Sequence, residues 1–455
     1  MDALGTAAAV RSGSTSARTE VEAALARIGE RDGPVNAITV TMADSACAAA
    51  DATDARVAAG GALPPLLGVP VTVKDHLWLA GTPSTNGSYA YEHFVPDQTC
   101  VAVQRLLDAG AIPVAKTTNP EFCYRGYTSS RLLGVTRNPH DLSRTCGGSS
   151  GGAAVSLATD MVPLAMGTDG GGSIRIPSAF CGVAGHKPTF GLVPKEPGFR
   201  GWKSLSVNGP MARTVTDLAA ALQVIAGPCA ADDLTWPVPA PDYLAATGRG
   251  IAHLRVAWST DLGVGAVAPG VRRALRRAVD LLARETGCRM IEAHPDTADP
   301  APLWNTIALA EGWSSEGPLL NRWGEQMSPE IADIVTAGRE LTAGAYVDAL
   351  HERAAFSRTW ADFWTEHDVL IAPAMPVTAF GIDESHPDAI DGHPVDPFFD
   401  DWCALALPAN LTGMPATTVP MGVGDDGLPV ALQVLAPRFG DAAALAVAAA
   451  WDRLG

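Results

Sequence analysis

Short apolar runs that alternate with amphipathic helical stretches constrain this chain more than any other feature. Leu66–Lys74 (LLGVPVTVK) is rich in β-branched residues and ends at a lysine, the pattern of a buried strand. Val101–Ala109 reads as a helix stopped by Gly110, with a strand over Ile112–Lys116 after it. The same order returns later: a strand over Leu254–Trp258, a helix with Val271, Leu275, Val279 and Leu282 on one stripe, and a strand over Arg289–Glu292. Near the start, Val21, Ala24, Leu25 and Ile28 recur at i, i+3, i+4 and i+7, which predicts an amphipathic helix. This alternation predicts an α/β fold with a β-sheet covered by helices on both faces.

Composition narrows the class. The 455 residues are 47% hydrophobic and 18% charged, which excludes disorder and supplies a core that needs no metal or disulfide. With 32 basic against 49 acidic side chains the formal charge is −17, so the chain repels phosphate backbones and no nucleic acid partner is expected. No apolar run reaches the ~18 residues of a membrane span, and the first twenty residues lack the pattern of a secretory leader. A cytoplasmic location with no membrane association is expected. The eight cysteines form no C-x-x-C pair and are expected to be reduced, mostly buried, small hydrophobes. No H-E-x-x-H is present, and His386 and His393 fall in an acidic, proline-broken loop expected at the surface, so neither metal nor cofactor is expected. Arg272, Arg273, Arg276 and Arg277 lie off the apolar stripe of their helix and predict a solvated face. Asp296–Glu384 breaks the alternation, carries Trp304, Trp313, Trp323, Trp360 and Trp364, and predicts a mostly helical layer over the core. No repeat or linker divides the chain, so residues 1–455 are expected to form one domain.

Two glycine–serine clusters carry the chemistry, at Cys146–Gly152 (CGGSSGG) and Gly167–Arg175 (GTDGGGSIR). Glycine runs let backbone N–H groups approach a ligand because no Cβ intervenes. Neither cluster fits the dinucleotide fingerprint or a P-loop. Gly148–Gly152 matches G-x-S-x-G, but a polar, turn-like stretch precedes it where a nucleophile elbow needs a strand. The second cluster follows an apolar run, Val162–Met166, that reads as a strand. Backbone N–H groups of Gly170, Gly171, Gly172 and Ser173 could then surround an oxyanion, with Ser173 as the attacking hydroxyl. A serine needs a base. No histidine lies in either cluster, whereas Lys74 closes an apolar strand, and burial there would lower its pKa toward neutrality. From the residues alone two readings stand: a serine–lysine site, or plain glycine turns with a snorkelling lysine.

The clusters and their flanks resemble the amidase signature family. The resemblance rests on GGSSGG (147–152), GTDGGGSIRIP (167–177) and CGVAGHKPT (181–189), supported by GVPVTVKD (68–75), KTTNPEF (116–122), GPMARTV (209–215), NLTGMPA (410–416) and GLPVALQ (427–433). It covers nearly the whole chain, with a signature core over 60–220, and is weakest over 290–400, where members of the family build their substrate clefts. The resemblance implies a mixed central β-sheet in an α/β/α arrangement and a Ser–cis-Ser–Lys triad. By motif, Ser173 is the nucleophile, Ser149 the cis-serine relay and Lys74 the base, with Ser150, Asp169 and Arg175 as structural support. The serines lie 24 positions apart and Lys74 lies 75 before Ser149, spacings typical of the family. The family usually carries a bulkier residue at the position of Gly170; a third glycine there keeps the donors and loosens the turn.

The implied chemistry is cleavage of the C–N bond of small, hydrophobic carboxamides through an acyl-enzyme. Anilides, carbamates (urethanes) and esters fall within the same mechanism, and no cofactor is implied. The expected partner is a small-molecule amide or carbamate, with the protein a monomer or homodimer. A second reading is the glutaminase subunit of a transfer-RNA-dependent amidotransferase. That relative carries an acidic residue seven positions before the asparagine of Asn-Leu-x-Gly, where this chain has Cys403, with Asp401 nearby. A third is a non-catalytic binding protein, which predicts a missing triad member.

Overall fold

The computed structural model describes residues 1–396 and 401–454, and the side chain of Asp401 lies outside the described residues with 397–400. Eleven strands join in one sheet. In chain order they are β1 (Ile38–Thr41), β2 (Pro70–Lys74), β3 (Ile112–Thr117), β4 (Leu164–Asp169), β5 (Ala184–Lys187), β6 (Val207–Ala212), β7 (Val256–Trp258), β8 (Met290–Glu292), β9 (Val369–Pro373), β10 (Ala416–Val423) and β11 (Pro429–Leu435). Their spatial order is β1-β3-β2-β4-β6-β5-β10-β11-β9-β7-β8. Strands β3, β2 and β4 run parallel, as do β9, β7 and β8, and the pairings between these groups are antiparallel. The sheet is therefore mixed.

Strand alternation divides the core between two faces. Along β4, Leu164 and Met166 enter one apolar cluster and Ala165 the other. The first cluster is covered by the helices Val101–Asp108, Val215–Ile225, Pro269–Thr286 and Asp441–Asp452. The second is covered by Ala17–Val35, Ala43–Ala59 and Gly151–Ala158. Val21, Ala24 and Ile28 are buried on the first of these three, the stripe read from the sequence. Among the described residues no helix is long and apolar enough to cross a membrane.

Several boundaries differ from expectation, two of them for evident physical reasons. The strand ending at Lys74 starts at Pro70 and not at Leu66, because Gly68 takes φ +72° against Val10 and Ala17 and forces a turn. The helical layer after residue 296 holds Ala301–Glu316, Pro329–Ala337 and Ala343–Phe363, then gives way to the fully buried strand β9. A short apolar run such as Val369–Pro373 fits either element by periodicity alone. On Pro269–Thr286, Arg272, Arg273 and Arg276 form surface ion pairs with Asp391, Asp425 and Glu292, as a solvated face should.

Candidate active site

The carboxyl ends of two neighbouring parallel strands bring the site together, where open α/β sheets place their crevices. Val73 of β2 pairs with Met166 of β4, so one step further Lys74 stands beside Gly167 and Thr168. β4 ends at Asp169, residues 170–173 turn, and the helix Arg175–Cys181 follows, which delivers Ser173 at a strand–turn–helix junction. The Gly148–Ser149 peptide bond is cis, and the helix Gly151–Ala158 starts directly after Ser150.

Lys74 is fully buried, and its partners are hydroxyls. Its Nζ donates to Ser149 Oγ at 2.8 Å, Thr168 Oγ1 at 2.8 Å and Ser150 Oγ at 3.1 Å. Burial lowers its pKa, opposed by the nearby Cys123, Asp169 and Asp75. Ser150 spends its hydroxyl locally: it donates to the Thr168 carbonyl at 3.2 Å and accepts from the Thr168 N–H at 3.2 Å and from Lys74. Its backbone N–H donates to the Ser173 carbonyl at 3.0 Å, so Ser150 ties the two glycine loops together. Ser173 is 8% exposed, whereas Lys74, Ser149 and Ser150 are fully buried, so of the three serines it is the one a solute can reach.

Asp169 and Arg175, both fully buried, meet side by side. Arg175 donates through Nε and Nη2 to the two carboxylate oxygens, each at 3.0 Å, and also to Asn410 at 2.6 Å, Gln433 at 3.2 Å and the Ala406 carbonyl at 2.7 Å. Burial pushes the Asp169 carboxyl up, but Arg175 outweighs it and holds the group well below the usual carboxylate range. Asp169 accepts the N–H of Gly172 at 2.9 Å and of Ile174 at 3.1 Å. The expected place of Gly172 among the donors to a substrate oxygen is thereby corrected, since its N–H is already bonded to a carboxylate. Its φ of +114° serves the turn itself.

The extra glycine at 170 has a physical partner. A Cβ there would lie 2.8 Å from Trp202, and Trp304 Nε1 donates to the Gly170 carbonyl at 2.9 Å. Two indoles thus hold a turn that glycine alone would leave loose. Trp202 and Trp304 meet edge-on at 5.0 Å, and Tyr124 meets Trp202 at 5.0 Å. Tyr124 donates its hydroxyl to Glu316 at 2.7 Å, and burial pushes that carboxyl up to about 8.

A small chamber at Ser173 is walled by Cys123, Gly171, Ile176, Cys403 and Leu407. Tyr124, Arg125, Trp202 and Trp304 line both this chamber and a larger adjoining cavity of about 250 Å³. Of the five tryptophans singled out in the helical layer, Trp304 lines this cleft, Trp313 lines a separate surface cavity and Trp360 is packed in the core. Trp202, Tyr124, Arg125 and Cys123 were not foreseen. The run Cys123–Arg125 follows the KTTNPEF motif directly, and the junction carries two left-handed residues, Phe122 and Cys123 (φ 52° and 64°), so motif adjacency was the available signal. Among the described residues no cysteine forms a disulfide. Cys123 departs from the inert reading: burial pushes its thiol up, yet Lys74 and His76, with hydrogen bonds to His76 and Ser149, bring it down to about 7.

A family model described as Amidase matches residues 20–445. A Glutamyl-tRNA(Gln) amidotransferase subunit of Chloroflexus aggregans is 37% identical, with 98% of this chain and 94% of that protein covered. An Acylamidase of Rhodococcus erythropolis is 35% identical, with 99% and 95% covered. The crystal structure of a bacterial aryl acylamidase of the amidase signature family superposes with a TM-score of 0.92 at 26% identity, over 100% of this chain and 96% of that one.

Proposed function

Because the chain belongs to the amidase signature family, we propose that it is a serine hydrolase cleaving the C–N bond of small, hydrophobic, aryl-bearing carboxamides through an acyl-enzyme. The observation that carries this reading is the 2.8 Å contact between a fully buried, carboxylate-free Lys74 and Ser149 Oγ. Burial lowers the pKa of that lysine and so favours the amine, whose lone pair can take a proton. Lys74 takes the proton of Ser149, Ser149 takes that of Ser173, and Ser173 Oγ attacks the carbonyl carbon. The N–H groups of Gly170, Gly171 and Ser173 stabilise the oxyanion. Collapse breaks the C–N bond, and the amine leaves with the proton returned through Ser149. Water then attacks the acyl ester by the same route and releases the acid. Carbamates and esters offer the same carbonyl and are included in the reading.

The amidotransferase relatives favour a second reading, a glutaminase that works with a partner. Against it, the position expected to be acidic is Cys403, a thiol on the wall of the Ser173 chamber, beside Leu407 and Ile176. Among the described residues such a wall suits an apolar acyl or aryl group and offers no carboxylate for a charged amino group.

A fluorophosphonate serine probe, followed by anilide, carbamate, ester and glutamine substrates, tests the proposal. Ser173→Ala should lose labelling and about 10⁴-fold or more of the turnover. Labelling equal to wild type in that variant would remove Ser173 from its role, and glutamine as the best substrate would install the second reading.

A further inference from the structure

The cavity beside Ser173 holds a polar feature that the hydrolytic chemistry does not use. Arg125, Asn305 and Trp202 all line it, and each carries a buried donor, Arg125 Nε, Asn305 Nδ2 and Trp202 Nε1, without a hydrogen-bond partner. Buried donors are nearly always satisfied, so three unpaired donors on one cavity point to an acceptor brought from outside. A guanidinium can only donate, which fixes the polarity of that outside group. The apolar part of the wall is made by the rings of Tyr124, Trp202 and Trp304 with Leu309 and Ile334, with room for a substituted aromatic ring.

Charge decides what kind of acceptor. Glu330 and Asp333 line the same cavity from the helix Pro329–Ala337, three positions apart and so on one face. Their two carboxylates exceed the single Arg125 cation, and a substrate anion would enter against that excess. Arg125 also borders the Ser173 chamber, so it stands where the chamber meets the larger cavity.

We propose that Arg125 and Asn305 are specificity-determining residues that select substrates whose aromatic ring carries an uncharged hydrogen-bond acceptor, such as an ether or ketone oxygen. This deepens the amide-hydrolase reading and rests on it. In the free protein water satisfies the donors, and a ring with a purely alkyl substituent strips that water without replacing it.

The test uses three acetanilides with para methoxymethyl, propyl or carboxymethyl groups, which match in length and attach to the ring through carbon. Wild type should favour the ether over the propyl compound about ten-fold in kcat/KM. It should also favour the propyl over the carboxymethyl compound. Arg125→Met and Asn305→Leu should each shrink the ether-to-propyl ratio toward one. Equal rates on ether and propyl in wild type, or a ratio untouched by both substitutions, would overturn the assignment, and a carboxymethyl compound that wins would overturn the uncharged choice. Dissociation constants on Ser173→Ala, read from tryptophan fluorescence, separate the two layers. If no compound is turned over in a Ser173-dependent way, the hydrolase reading falls. The affinity ratio of ether to propyl then still upholds the acceptor site, or overturns it if it is one.

Discussion

Lys74, at the end of β2, and Arg175, at the start of the helix after β4, are both fully buried basic side chains, yet their surroundings differ in kind. Arg175 is met by the Asp169 carboxylate and by side-chain and backbone oxygens of Asn410, Gln433 and Ala406. Its charge is paid back in full, and the turn that carries Ser173 hangs on it through Asp169. Lys74 is hydrogen-bonded to three hydroxyls, which return no charge, with the Cys123 thiol as the leading influence against burial. Depth is the same, and the consequence differs: a fixed ion pair pins the scaffold, while a lysine with no carboxylate in contact has its pKa pulled down. Burial by itself therefore does not mark a reacting group; the chemistry of its partners does.

The largest effect expected from breaking this contrast is on turnover. Lys74→Met should lower kcat/KM by about 10³- to 10⁴-fold, as loss of a general base does. Stability should hold or rise, because a methionine needs no hydration. The sign follows from linkage. The native state sheds the Lys74 proton below the unfolded value of 10.5, so the unfolded chain binds more protons in that window and stability rises with pH through it. Lys74→Met removes this share of the slope, while Lys116 (lowered to about 8) and Lys187 (lowered to about 7), both depressed by burial, keep theirs. Calorimetry across pH beside steady-state rates checks both halves; a variant as active as wild type would undo the assignment.

Arg175→Met should do the reverse. It leaves Asp169 charged and buried, at a cost of roughly 3–5 kcal/mol of stability. Denaturant unfolding reads that loss, and Asp169→Asn should be milder because an amide can still face Arg175. An Arg175→Met protein as stable as wild type would mean that the pair does not pin the turn.

The sequence pattern exposed one side of this contrast more clearly than the other. Lys74, Ser149 and Ser173 could be placed by motif, since each sits in a run whose spacing survives on one strand or loop. The mixed sheet was likewise readable from alternation together with the resemblance. What stayed hidden arises between distant segments. Trp202 fills the space above Gly170, and Trp304 reaches back 134 positions to hold its carbonyl, so a turn that looked loose is braced. The commitment of Gly172 N–H to Asp169 is equally invisible, because it depends on the angle at which the turn leaves β4. Cys123 passed as one more small hydrophobe because the groups that lower its pKa, Lys74 and His76, arrive from another strand and its following loop.

The smallest effect, and the one that sharpens the comparison most, concerns Cys123. Lys74 and Cys123 exchange one proton between two arrangements: amine with thiol, or ammonium with thiolate. Only the first leaves Lys74 free to act as a base. Burial lowers the Lys74 pKa, and Cys123 is the leading influence that opposes it. Cys123→Ala removes the thiolate, so Lys74 should lose its proton more readily and the acid limb of the kcat/KM profile should move to lower pH. Activity on the acid side should gain a few-fold, with the plateau held or slightly raised. Cys123→Ser serves as the comparison, because a hydroxyl keeps the hydrogen bond without the charge; its limb should fall with that of the alanine variant. A limb that stays in place, or moves up, would show that Lys74 titrates independently of the thiol and that its hydroxyl partners alone set the base.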